Sequence, residues 1–203
     1  GYTAMLCILG LEDFGIKPDS GEILVTGASG GVGSVAVSLL SSLGFSVIAS
    51  TGRLSETDYL KSIGASSVID RSELSEPSKP LGKERWSAAI DSVGSQTLSN
   101  VLSQTKYGGA VSACGLAQGM DLPSTVLPFI LRGVSLIGID SVMAPMSKRE
   151  RAWDRLSKDL NMDKLAEMVV ETNLDEIQSF AQLILDGQVR GRVVVNISLN
   201  LRS

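Results

Sequence analysis

The sequence contains no histidine. That excludes Ser–His–Asp and Cys–His nucleophile systems, and it excludes His-ligated zinc. It contains only two cysteines, Cys7 and Cys114, far apart and each in an apolar stretch. Such a pair reads as two buried thiols in a reducing cytoplasm rather than a disulfide or a metal site. Basic runs are also missing, and eighteen Lys and Arg against twenty-two Asp and Glu give a net charge of −4. Nucleic acid and anionic membrane surfaces are therefore not expected as partners. No apolar stretch approaches the ~20 residues that span a bilayer, and there is neither a signal peptide nor an initiator Met. Internal repeats and low-complexity segments are absent too. What remains is 203 residues, 43% of them hydrophobic. That is enough for a sizeable core in one domain, or in one domain plus a fragment. The opening GYTAML has the character of a helix interior, so a piece of a longer protein is expected.

Glycine is not scarce, and its placement is informative. In Glu22 to Ser34, EILVTGASGGVGS, a short apolar run is followed by Gly27, Gly30, Gly31 and Gly33. Apolar residues then recur at helical spacing through Val32, Val35, Ala36, Leu39, Leu40 and Leu43. A buried strand, a glycine turn and a helix in that order form a phosphate cradle. Glycine lets backbone approach a ligand closely, and the free amides and positive end of the helix face the anion. Gly31-x-Gly33-x-x-Ala36 fits the dinucleotide fingerprint in its G-x-G-x-x-A form. A P-loop needs Lys after the last glycine, and Ser34 stands there instead.

The second strand, Phe45 to Ser50, follows at the expected distance. Its tip in a dinucleotide fold meets the adenosine ribose, where an NAD site carries Asp or Glu. Here the tip reads Ser50-Thr51-Gly52-Arg53, with two hydroxyls and a guanidinium but no acid. A carboxylate would repel a ribose 2′-phosphate, whereas an Arg fork and hydroxyls bind it. The cofactor expected is NADPH. Arg71, just past a third strand at Ser67 to Asp70, either joins that phosphate site or is a surface charge. A fourth strand, Ala88 to Ile90, ends at Asp91, which either lines the cleft or is satisfied by turn amides. A helix through Leu98, Val101 and Leu102 is expected to stop at Gly108-Gly109. A fifth strand, Ala110 to Cys114, runs into Gly115–Ala117. A short helix at Thr125 to Leu131, interrupted by Pro128, precedes a sixth strand from Gly133 to Ile139.

Strands alternating with helices predict an α/β fold, a Rossmann-type doubly wound parallel sheet of about six strands. The tail predicts an α+β segment. A Ser147–Glu150 capping box should open one helix, and Ser55 with Asp58 should cap an earlier one. A helix at Met162 to Glu167, a strand at Met168 to Glu171, a helix capped by Asn173 and Glu176, and a last strand at Val193 to Ile197 complete it. The division expected is residues 1–144 as an NADP-binding domain and 145–203 as the tail.

In combination, TGASGGVGS, STGR, YLKSIGAS, AIDSVG, YGGAVSACGLA, LPFILRGVSLIGIDSV and GQVRGRVVV resemble the medium-chain dehydrogenases/reductases. The resemblance is to their zinc-independent quinone-oxidoreductase branch, and within it to the acrylyl-CoA reductase subgroup. It implies NADPH binding and reduction of an activated C=C bond in an enoyl thioester or quinone. On matching positions it implies Gly30, Gly31, Val32 and Ser34 at the diphosphate, and Thr51, Gly52 and Arg53 with Arg71 at the 2′-phosphate. Leu116 and Arg132 match positions near the nicotinamide half. The resemblance also implies a homodimer through the Val134–Ile139 edge strand. It further implies a preceding substrate domain that this chain lacks and onto which the tail packs. No residue in the sequence is a convincing proton donor, so no catalytic residue is expected here, and no metal.

Two other readings compete. One is a non-catalytic module that binds NADPH. The other is a short-chain dehydrogenase, because Thr26-Gly27-x-x-x-Gly31-x-Gly33 fits TGxxxGxG. That family needs Tyr-x-x-x-Lys, and Leu6, Ile63 and Val111 stand four positions beyond the three tyrosines.

Overall fold

The computed structural model describes residues 1–197. Helix α1 (Tyr2–Phe14) is apolar on nearly every side and buries Ala4 through Leu9 and Leu11. Gly15, at φ 106°, ends it in the left-handed conformation that glycine adopts without strain. There follow β1 (Ile23–Val25), α2 (Gly31–Ser42), β2 (Val47–Thr51), α3 (Thr57–Ser62) and β3 (Ser67–Asp70). The second half repeats the pattern with β4 (Trp86–Asp91), α4 (Ser95–Gln104), β5 (Thr105–Ala113), α5 (Leu127–Arg132) and β6 (Ser135–Gly138). The six strands make one parallel sheet in the order β3-β2-β1-β4-β5-β6. The expected doubly wound fold is present. The order reverses between β1 and β4, which opens a crevice at the carboxyl ends of those two strands.

Strands β1, β2 and β4 are buried along their whole length, as parallel strands covered on both faces must be. Side chains alternate between two cores. Ile23, Val25, Val47, Ala49, Ala88 and Ile90 meet α1, α2 and α3 on one face. Leu24, Ile48, Trp86, Ala89 and Val111 meet α4 on the other. Trp86 is wholly buried, and its indole N–H donates to the Val101 carbonyl at 3.2 Å.

The tail contains α6 (Met146–Asp159), α7 (Met162–Glu167), β7 (Val169–Thr172), α8 (Ile177–Leu185) and β8 (Arg192–Val195). Helix α6 lies on α1, and its Ala152 and Leu156 enter the main core. Arg155 pins the two helices, donating to Glu12 at 2.7 Å and to Asp159 at 2.5 Å. The pair is about a quarter exposed, so solvent screens it. Arg155→Ala is expected to cost about 1 kcal/mol, less at high salt, in urea unfolding. Strands β7 and β8 pair in parallel in a separate two-stranded sheet. Around it Val170, Ile177, Ile184, Leu185 and Val194 are exposed.

Several boundaries depart from expectation for local reasons. Helix α4 stops at Gln104, not at Gly108, because the Thr105 hydroxyl takes the Val101 carbonyl at 2.8 Å. Strand β5 therefore starts early, and its pairing with β4 shifts register between Trp86 and Ala88. Pro128 does not interrupt α5; it stands in the first turn, where a missing N–H costs nothing. The Ser147–Glu150 capping box does not form, because α6 starts two residues earlier than that cap requires, at Met146 behind Pro145. Nor does Ser55 cap α3: Leu54–Glu56 form a 3-10 turn, and Glu56 is the N-cap. Asn173 does cap, accepting from the amides of Asp175 and Glu176 at 2.9 and 3.3 Å.

Candidate functional site

The crevice begins where β1 gives way to α2. Gly27 turns the chain at φ +58°, and the Gly30 amide closes the turn on the Gly27 carbonyl at 3.0 Å. Gly30 is the extended N-cap of α2. The first intrahelical bond runs from the Ser34 amide to the Gly30 carbonyl at 2.9 Å. The amides of Gly31, Val32 and Gly33 are thus left at the positive end of a three-turn helix, where an anion is favoured. A Cβ on Gly33 would stand 2.7 Å from Ala28 Cα. Only glycine lets α2 lie this close to the turn. Ser34 departs from expectation. It is fully buried, and its hydroxyl donates to the Ala28 carbonyl at 3.1 Å. It braces the cradle from behind and does not line it.

At the tip of β2 the predicted residues do come together. The Thr51 hydroxyl lies 3.2 Å from the Ser29 hydroxyl and accepts from the Arg53 amide at 3.2 Å. Arg53 Nη2 donates to the Val189 carbonyl at 3.1 Å and reaches the Ser29 hydroxyl at 3.5 Å. The Arg71 guanidinium lies across Gly52, where an added Cβ would stand 2.7 Å from its Cζ. Gly52 therefore leaves room for the Arg71 side chain at the tip of β2. One acid is in register with Thr51, namely Asp70. Its Oδ1 accepts from the Ser72 amide at 2.8 Å, and that bond, ahead of nearby Arg71, holds the carboxyl below the usual carboxylate range.

Across the sheet reversal, Asp91 is wholly buried. It accepts from the Thr26 hydroxyl at 2.7 Å and from the Gly94 and Val93 amides at 2.8 and 3.3 Å. Turn amides and a hydroxyl satisfy it, so it shapes the crevice floor. Burial raises its pKa, opposed by the Thr26 bond and then by the two amides. The sign follows from linkage. Its contribution is fully present below the unfolded value of roughly 4 and is lost as pH rises through the raised folded value. The stability of the wild type is therefore expected to fall relative to Asp91→Asn as pH rises above about 4, measured by urea unfolding at several pH values. Leu116 follows β5 and is 62% exposed at the rim, beside Gly94.

Arg132 is not at this site. It donates to the carbonyls of Gly82, Ser103 and Thr105 at 2.6, 2.7 and 3.4 Å and pairs with Glu84. Those residues stand at the amino end of β5, opposite the crevice, because α5 runs back along the sheet and carries its last residue there.

The residues missed by sequence reasoning lie in the turn before β8 and at its first residue, Arg192. The Arg192 guanidinium covers the mouth of α2, with Cζ 2.5 Å from where a Cβ on Gly31 would be. The Gly191 amide donates to the Ser29 carbonyl at 2.9 Å. Arg190 lies over the Tyr59 ring at 4.5 Å, near Glu56. The only hint was two arginines flanking a glycine in GQVRGR, with nothing to say which surface they would reach.

These elements set a glycine-turned helix mouth under Arg192, with the Arg53 and Arg71 guanidinium groups at the tip of β2, a geometry suited to a dinucleotide. The family model described as "Zinc-binding dehydrogenase" matches residues 31–158, more than half of the chain. The chain belongs to this family. It is 52% identical over 198 residues to the probable acrylyl-CoA reductase AcuI of Escherichia coli K12, covering 98% of this chain and 61% of that protein. Among solved structures it resembles E. coli K-12 YhdH with bound NADPH (TM-score 0.93, 53% identity, 96% of this chain and 60% of that one). It also resembles Bacillus subtilis YhfP with NAD bound (TM-score 0.91, 47% identity, 97% and 60%). The chain thus spans about three fifths of the length of these relatives. Among the described residues no helix is long and apolar enough to cross a membrane, and no three metal-ligating side chains gather.

Proposed function

We propose that this chain is the cofactor-binding part of an NADPH-dependent oxidoreductase that reduces an activated C=C bond in an enoyl thioester or a quinone. The observation that carries this is that the Arg53 and Arg71 guanidinium groups both stand at the tip of β2, where β2 itself carries no acid. Gly30, Gly31 and Val32 would hold the diphosphate from below and Arg192 from above. Thr51, Gly52, Arg53 and Arg71 would hold the 2′-phosphate, and Leu116 would edge the nicotinamide half. The cofactor, when bound, supplies the hydride. This chain supplies binding, orientation and positive charge. No side chain here is assigned a proton-transfer role.

The division at 144/145 is part of the proposal, with α6 bound to the first part through Ala152 and Leu156. The exposed apolar residues around β7, β8 and α8 suit a cover supplied by a substrate domain, since patches of this kind mark interfaces. Strand β6 is the open edge of the sheet, which suits homodimer pairing through Val134–Ile139. The absence of histidine and the two cysteines free of a disulfide suit a zinc-independent enzyme in the reducing cytoplasm. The test is calorimetric titration of the full-length protein with NADPH and NADH, followed by turnover of acrylyl-CoA and of a quinone. Preference for NADPH with turnover of either substrate supports the proposal. NADPH binding without turnover of any such substrate would make the chain a binding module.

A further inference from the structure

Four tail residues are bound to the rim of the crevice. Val189 takes Arg53, Arg190 takes Tyr59 and Glu56, Gly191 takes Ser29, and Arg192 covers Gly31. The segment has little freedom. Gly191 adopts φ +61°, and a Cβ there would stand 2.9 Å from the Met168 carbonyl carbon. The Arg192 amide donates to the Met168 carbonyl at 2.8 Å. Residues 187–192 therefore form a strap that positions Arg192 over the diphosphate cradle.

Arg53 belongs to both the strap and the ribose tip. A guanidinium has five N–H donors in a fixed fork. Arg53 commits only Nη2, to Val189 and Ser29. Its Nε–H and Nη1 N–H groups have no partner among the described residues and can each donate a charge-assisted bond to an anion. One rigid planar group can thus hold the strap through Nη2 and an anion through its remaining N–H groups. An anion that orders the guanidinium also orders what it holds.

We propose that Arg53 is a positioning residue as well as a phosphate ligand. Through it, the 2′-phosphate fixes the 187–192 strap and so sets Arg192 over the diphosphate. The proposal rests on the NADPH reading above. Coupling of this kind is reciprocal, with typical factors of roughly 5–150. The test is hydrogen exchange of the full-length protein at NADPH and NADH concentrations that calorimetry shows to be saturating. The readout is the amide of Gly191. NADPH is expected to slow its exchange at least about fivefold more than NADH does. In Arg53→Ala the two cofactors should protect it equally. Arg53→Lys retains the charge without the fork, so it should recover part of the NADPH affinity but none of the difference in protection. Equal protection by both cofactors in the wild type, or a difference that survives in Arg53→Ala, would overturn the proposal. Calorimetry showing no NADPH binding would instead overturn the cofactor reading and this proposal with it.

Discussion

Replacing Arg53 by alanine is expected to weaken NADPH binding by roughly 1.5–3 kcal/mol, about 10–150-fold. NADH binding should weaken much less. The guanidinium has two neighbours in the free protein, a carbonyl and a hydroxyl, and both remain available to water once it is gone. What the substitution removes selectively is the charge-assisted bond to a 2′-phosphate that only NADPH carries. Arg71 lies over Gly52 at the same strand tip and retains part of the attraction, which is why the loss stays finite. Calorimetry at two salt concentrations checks this, and the NADPH deficit should shrink at high salt. Equal losses for both cofactors would contradict the ribose-phosphate role.

Gly33→Ala is expected to act at the other half of the cofactor, without discrimination. The new methyl group would stand 2.7 Å from Ala28 Cα and almost on the Gly27 carbonyl oxygen. Both neighbours are backbone and cannot turn aside. Helix α2 must move off the turn, and its amides move with it. Overpacking of this kind costs about 3 kcal/mol where backbone has to shift. The displaced amides lose charge-assisted bonds to the diphosphate worth roughly 3 kcal/mol, so NADPH and NADH should each lose about 100-fold in affinity, with the ratio between them near that of the wild type. Unchanged affinity for either cofactor would show that α2 does not carry the diphosphate.

The fold was largely legible because its signals are local. Each strand is a short apolar run closed by glycine or a polar cluster, and β3 falls at Ser67–Asp70 as expected. The cradle was legible because one contiguous stretch holds the strand end, the glycines and the helix. Likewise Thr51, Gly52 and Arg53 are neighbours in sequence. Errors arose where a long-range contact decides the outcome. Arg132 follows an apolar helix, and only the direction of α5 against β5 takes its side chain to Gly82 and Ser103. Ser34 is within the glycine motif, but helical phase points its hydroxyl back at Ala28. Arg192 is 161 positions from Gly31 in the numbering. No local pattern could have shown that a tail strand returns to the mouth of α2. The two serine capping pairs failed similarly, since a Ser three residues before an acid is compatible with a helix or turn that has already begun.

The most direct measurement is a crystal structure of the full-length protein with NADPH bound. The diphosphate should accept from the Gly31 and Val32 amides beneath Arg192, and the 2′-phosphate should lie between the guanidinium groups of Arg53 and Arg71. A diphosphate bound away from the mouth of α2, or a 2′-phosphate pointing into solvent away from both arginines, would contradict it.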